Sequence, residues 1–296
     1  MAAKFDLYET VTQRIINALE HGTKPWRRPW NMKEGEAVYP YNAATKRRYS
    51  GINVMLLWST GYTSNGWMTF KQAKALGGSV RKGEKASIIV YWNKVESRTE
   101  TDSEGNPKTY FLLRYYNVFN VEQIDGLPES YAPLDDAEHD DLLESEKLEG
   151  VDSLVEALRQ NAGLKLTHGG NSAHYSPVSD SVAVPERKQF HDAESYAATL
   201  LHELVHWSGG KPRLGREWLQ SFEKFGDENY AKEELVAEIG SAFLCANFGI
   251  DPEKTQHESY VAAWLKVLKN DKRLILKAAR LAQEAADYLL AFRKAV

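Results

Sequence analysis

Residues 198–210 read ATLLHELVHWSGG, and the spacing of the two histidines in this stretch decides how the second half of the chain is read. On an α-helix, residues four apart share a face, so His202 and His206 can reach one ion. Glu203 is rotated by about 100° from His202 and can face a water molecule beside that ion. Ala198, Leu201 and Val205 give the stretch an apolar helical face, and Gly209–Gly210 ends it. A catalytic zinc takes three protein ligands and keeps a fourth position for water; a carboxylate then takes the water's proton. The pattern predicts Zn2+, or another divalent ion such as Mn2+, held by His202 and His206, with Glu203 as general base.

Downstream, DENYAKEELVAEIGSAFLCANFG (227–249) reads as another helix, with Asp227 as N-cap and Gly249 at its stop. With HELVH it resembles the glutamate-type zincins, whose third ligand sits in a helix of the form E-x-x-A/S-D. By that template Glu234 is the third ligand and Glu238 supports a ligand histidine. Glu238 is longer than the Asp of the template, so it stays open as the alternative ligand. Glu233 is expected to face solvent. Zincins place a sheet edge before the metal helix, where an extended peptide adds as a strand. That makes Ser181, Val182, Ala183 and Val184 candidates for a substrate cleft. Tyr196 and Tyr230 are candidate oxyanion donors, whereas His168, His174 and His191 have no ligand spacing and read as structural.

The charge is uneven along the 296 residues. Residues 1–127 carry 18 Lys and Arg against 12 Asp and Glu, residues 128–149 carry 1 against 9, and residues 150–296 carry 18 against 20. A basic front, an acidic bridge and a near-neutral back predict a domain over 1–127, a linker over 128–149 and a second domain over 150–296. With 43% apolar and 26% charged residues, a single cysteine and no long apolar run, the chain reads as globular and cytoplasmic, with no membrane association. Cys245, in the apolar run AFLCANF, reads as a small buried hydrophobe. Leu7, Val11, Ile15 and Leu19 predict an amphipathic first helix. KASIIVYWNKV and KTYFLLRYYNVFN predict the two strands of a long hairpin. The fold class is therefore α+β: a mixed first domain, then a mainly helical one with a small sheet.

Five of the eight tryptophans precede residue 93, interleaved with Arg and Lys. Single-stranded nucleic acid calls for such a surface, with cations tracking phosphates and aromatic faces taking bases. The candidates are Trp26, Arg27, Arg28 and Trp30 in KPWRRPW; Tyr41, Lys46, Arg47, Arg48 and Tyr49 in YNAATKRRYSGIN; and Arg81, Lys82, Lys85 and Trp92 beyond. Trp58 and Trp67 also suit a core.

The segments PWRRPW, YNAATKRRYSGIN, GWMTFKQAKALGGSVRKGEK and NVFNVEQIDGLP resemble the N-terminal domain of ArdC-type antirestriction proteins, a domain that also occurs in TraC-type plasmid primases. HELVHW followed by EELVAEIGSAFLCA resembles the zincin-like metallopeptidase domain of the same family. The family often has glycine where this chain has Lys46. The resemblance implies a plasmid-borne, conjugation-linked protein that binds incoming single-stranded DNA without sequence preference and shields it from host restriction. In one form of that expectation the peptidase activity is dispensable for protection. In the alternative, the protein is a DNA-anchored metalloprotease whose cleavage of a restriction component, or of another DNA-bound protein, is itself the function.

Overall fold

The computed structural model describes residues 6–26, 39–101, 103, 105–131, 144–221, 227–251 and 260–293. Helix α1 (Leu7–Glu20) starts where Asp6 accepts a hydrogen bond from the Glu9 N–H, and it buries Leu7, Val11, Ile15, Ile16 and Leu19 on one stripe. The rest of the first half is a small mixed sheet with short helices. It comprises β1 (Tyr41–Asn42), α2 (Ile52–Trp58), β2 (Gly66–Met68), α3 (Phe70–Ala75), β3 (Ser79–Val80), β4 (Ser87–Thr101), β5 (Pro107–Asn120) and β6 (Ile124–Asp125). The sheet runs β1-β2-β5-β4, with β3 and β6 paired separately. Strands β4 and β5 form the long antiparallel hairpin, in register from Ser87 opposite Val118 to Glu96 opposite Thr109. The Asn53 side chain clips the outer edge of β4 by accepting from the Val90 N–H and donating to its C=O.

The second half comprises α4 (Glu144–Ala162), β7 (Lys165–His168), β8 (His174–Ser176), β9 (Ser181–Val184), α5 (Ala193–Ser208), α6 (Glu217–Ser221), α7 (Glu228–Phe248), α8 (Val261–Asn270) and α9 (Leu274–Arg293). Helix α7 is the axis of this half. It packs against α4, α5, α6, α8 and α9, and from Glu233 to Ala246 every residue is buried. The Asp227 cap and the left-handed Gly249 (φ 67°) bound it where the sequence placed them. Helix α5 likewise starts at its Asp192 cap and ends before Gly209–Gly210.

The two halves share one apolar core. It joins Val11, Ile15, Met55 and Trp58 to Leu235, Phe243, Trp264 and Ala282, and α1 lies along α8. Trp26 belongs to this core. It is 1% exposed and meets Trp264 edge-on, with ring centroids 5.7 Å apart. This corrects the expectation of a base-stacking role at Trp26: the ring is inside because α8 presents an aromatic partner to it. Arg27, Arg28 and Trp30 lie outside the described residues. Trp58 and Trp67 are also buried, and burial pushes the Cys245 thiol up to about 12.

The strand order β7-β9-β8 corrects a second expectation. Residues Ser181–Val184 form the central strand, parallel to β7 and antiparallel to β8. Their backbone groups are engaged on both sides, so no peptide can add there, and Val182 and Val184 are fully buried. The open edges of this sheet are β7 and β8.

At Lys46 the backbone is left-handed (φ 59°), a conformation that favours glycine. The turn is kept, and the lysine ammonium sits 4.8 Å from the Tyr131 ring centroid and 5.7 Å from that of Tyr41. Because Trp26 fills core, Trp26→Ala is expected to destabilise the protein by about 3–5 kcal/mol. Urea unfolding of the full chain checks this; normal stability with weakened DNA binding would restore the stacking role.

Candidate metal centre

The HELVH turn lies in the buried middle of α5. His202, Glu203 and His206 are 2%, 7% and 7% exposed. The two imidazoles meet Nε2 to Nε2 at 3.2 Å. Glu234 of α7 faces both: its Oε2 is 3.4 Å from His202 Nε2, and its Oε1 is 3.4 Å from His206 Nε2. Ligand atoms held at about 2.1 Å around a tetrahedral ion stand about 3.4 Å apart, so these separations suit one small cation. Among the described residues, His202, His206 and Glu234 are the group whose donor atoms converge in this way.

The neighbouring acids sort themselves differently from the expectation. Glu238 is buried and takes an ion pair from Lys24 Nζ at 2.7 Å. The carboxylate beside His206 is that of Glu233, whose Oε1 lies 3.3 Å from His206 Nδ1. Glu233 is 1% exposed, not solvent-facing. Such a carboxylate fixes the ring and its tautomer and leaves the other nitrogen for a metal. Arg216 in turn grips Glu233, with Nη2 to Oε1 at 2.5 Å and Nε to both oxygens at 3.1 Å. It also donates to the Val205 carbonyl and the Ser208 hydroxyl.

The double glycine is therefore more than a helix stop. A Cβ on Gly209 would lie 2.5 Å from the Arg216 guanidinium, and one on Gly210 would overlap Arg213 and the Tyr175 hydroxyl. Arg213 uses that space to pair with Asp180 in the β8–β9 turn and to stack 4.0 Å from the Trp207 ring centroid. The pair holds Asp180 below the usual carboxylate range.

Burial opposes ionisation of Glu234, but His206 and His202 outweigh it and hold the carboxyl below its ordinary range. Burial likewise works against a charged His206, yet Glu234, Glu233 and Glu203 together raise it to about 10. Tyr230, raised by burial and by the Glu234 charge, stands beside Glu234 and shares a 3.0 Å hydrogen bond with Tyr260. Tyr196 is elsewhere, packed on His168 and Phe190. With Arg216 matching Glu233 and Lys24 matching Glu238, the formal charges of Glu203 and Glu234 remain beside two imidazoles. A dication matches that residue of charge, so the site fits the ion that its sequence motif calls for.

Of the first-half candidates, Arg47, Arg48, Tyr49 and Trp92 line one cavity, whereas Arg81, Lys82, Lys85, Tyr41 and Lys46 lie outside it. Arg81 is tied to Glu84 at 2.9 Å and to Asp125 at 3.4 Å.

The fold and site define a zincin-like metalloprotein joined to a mixed α/β front domain. Residues 153–281 match the zincin-like metallopeptidase model and residues 5–119 match that of the N-terminal domain of anti-restriction factor ArdC. The crystal structure of metal-free antirestriction protein ArdC from plasmid R388 superposes with a TM-score of 0.79 at 41% identity, over 98% of this chain and 99% of that one. Its Mn(II)-bound form gives 0.77 at 42%, over 98% of each. The y4eC protein of Sinorhizobium fredii is 36% identical over 96% of this chain and 91% of its own length. The chain belongs to the ArdC antirestriction family. An Escherichia coli DNA primase TraC is 38% identical over 99% of this chain, which spans only 20% of that protein's length.

Gly209→Ala is expected to displace Arg216 and to lower metal affinity about 10–100-fold, the usual cost of disturbing a ligand's support. Titration with Zn2+ followed by calorimetry, beside the conservative Arg216→Lys, reads this out. Unchanged affinity in Gly209→Ala would show that the Arg216–Glu233 support does not matter to the ion.

Proposed function

We propose that the protein is an antirestriction factor of conjugative DNA transfer in the cytoplasm. It binds single-stranded DNA without strong sequence preference and carries a divalent-metal site for peptide-bond hydrolysis. Full-length similarity to the R388 ArdC protein carries the reading. The ion is Zn2+, with Mn2+ the other candidate; the related protein's Mn(II)-bound structure supports a divalent ion. His202, His206 and Glu234 would hold it. When bound, it supplies Lewis-acid polarisation of a carbonyl and acidifies water. Glu203, one residue along from His202 and buried beside it, accepts the proton and returns it to the leaving amine. Tyr230, whose hydrogen bond to Tyr260 and position beside Glu234 support the reading, donates to a developing oxyanion. Arg47, Arg48, Tyr49 and Trp92 take phosphates and bases, with Lys46 and Tyr41 beside them and Arg81, Lys82 and Lys85 contributing positive field.

Protection follows from coating the strand, and proteolysis is a separable activity. A second reading, in which cleavage of a DNA-bound or restriction protein is the function, is favoured by one observation. The metal centre keeps every part: both histidines, Glu203, Glu234 and the Arg216–Glu233 support.

Glu203→Gln is expected to retain metal and DNA binding, to lose about 10²–10⁴ of any peptidase rate, and to leave protection of incoming plasmid DNA intact in a restricting host. Loss of protection with metal and DNA binding retained would establish the second reading.

A further inference from the structure

A cavity of about 880 Å³ opens between the two halves, away from the metal centre. One wall is the YSGIN loop with the β4 edge; the other is α9. The walls are clamped together at Gly51. Its N–H donates to Gln283 Oε1 at 3.1 Å, and at φ 56° it faces α9 so that a Cβ added there would meet the Ala279 carbonyl oxygen at 3.5 Å. Arg47 and Arg48 line the first wall, and Arg273, Lys277 and Arg280 line the second. Lys277 and Arg280 of α9, with Arg273 just before the helix, whose C=O accepts from the Lys277 N–H, follow i, i+4, i+7 spacing and form one stripe along the cleft. All five are exposed; among the described lining residues the only carboxylate is Glu284, paired with Arg280, while Glu217, outside the lining, stands 3.9 Å from Lys277 Nζ. Positive charges facing one another across a gap repel; a polyanion lying between them removes that cost. The aromatic part is also present: Tyr91, Trp92 and Tyr116 line the cavity and are each 44–48% exposed.

We infer that single-stranded DNA lies in this cleft and that α9, a helix of the metallopeptidase-like half, with the residue just before it, supplies Arg273, Lys277 and Arg280 as phosphate contacts. This rests on the proposed DNA binding and extends it across the domain boundary. Bases stack on the hairpin aromatics while the backbone runs between Arg47–Arg48 and the α9 stripe. Glu284 opposes binding and holds Arg280 in the free protein.

The test is fluorescence anisotropy of the full chain with a labelled oligothymidylate across a range of salt concentrations. The combined variant Arg273→Gln, Lys277→Gln, Arg280→Gln is compared with Arg47→Gln, Arg48→Gln and with Glu284→Gln. Each phosphate contact contributes about 0.7 to the slope of log K against log salt, so the α9 variant should lose about 2 from the slope and bind about 100-fold more weakly at 0.1 M salt. Glu284→Gln should bind more tightly than wild type. Single α9 variants should each show about a third of the slope change, which separates lost contacts from a folding defect in the combined one. If the Arg47 and Arg48 variant weakens binding while the α9 variants match wild type in affinity and slope, the strand does not touch α9 and the inference is overturned. If the wild type itself does not bind, the underlying DNA-binding reading fails and takes the inference with it.

Discussion

Three carboxylates buried on one helix, Glu233, Glu234 and Glu238 of α7, organise this molecule. Each would cost several kcal/mol if left without a partner, and the helix around them is apolar on every side. Each draws positive charge from a different part of the chain. Glu233 takes Arg216 from the segment after α5, Glu238 takes Lys24 from the first half, and Glu234 takes the two histidines of α5. The glycine pair after α5, the path of residues 24–26 and the placing of the metal site all follow from meeting these demands. The metal centre is thus the unfinished part of a charge balance that the rest of the protein completes.

Much of this was readable beforehand. In HELVH helical spacing pairs the two histidines on one face, while Glu234 comes from the likeness to the zincin template, which leaves Glu238 open, and the donor atoms of His202, His206 and Glu234 converge. The caps Asp192 and Asp227 and the stop at Gly249 are local signals with local causes, and they stand where expected. What the sequence leaves hidden is which side of an element faces what. Glu233 precedes Glu234, and on an ordinary amphipathic helix it would fall on the wet face. Helix α7 has none along that stretch, and nothing in its own sequence reveals that Arg216 covers Glu233. Trp26 sits among prolines and arginines, as a stacking residue would, yet its partner Trp264 lies 238 positions away. The central place of β9 likewise depends on β7 and β8 pairing on its two sides, a matter of topology that alternation along one strand does not encode.

The division into a basic front and a near-neutral back is real in composition and in family matches, but it is not a division in packing. The apolar stripe of α1 and the Trp26 ring lie in the core built by α7, α8 and α9. Among the described residues the first half keeps two small apolar clusters of its own, around Met68 and around Trp67. A compositional boundary marks where surface charge changes, and surface charge answers to partners. A packing boundary marks where apolar contacts thin out. Here the two do not coincide.

That shared core has a geometric consequence. Modules joined by a flexible linker explore a volume, and their effective local concentration falls as the linker lengthens. Here α1 on α8, Gly51 on α9 and Lys24 on Glu238 set the spacing instead, whatever the chain between residues 131 and 144 does. The distance between the front surface and Glu234 is a fixed ruler. Any macromolecule gripped by the first half is held at one separation and one orientation from the metal site, and a neighbour on that macromolecule is within reach or out of it by measure, not by chance encounter.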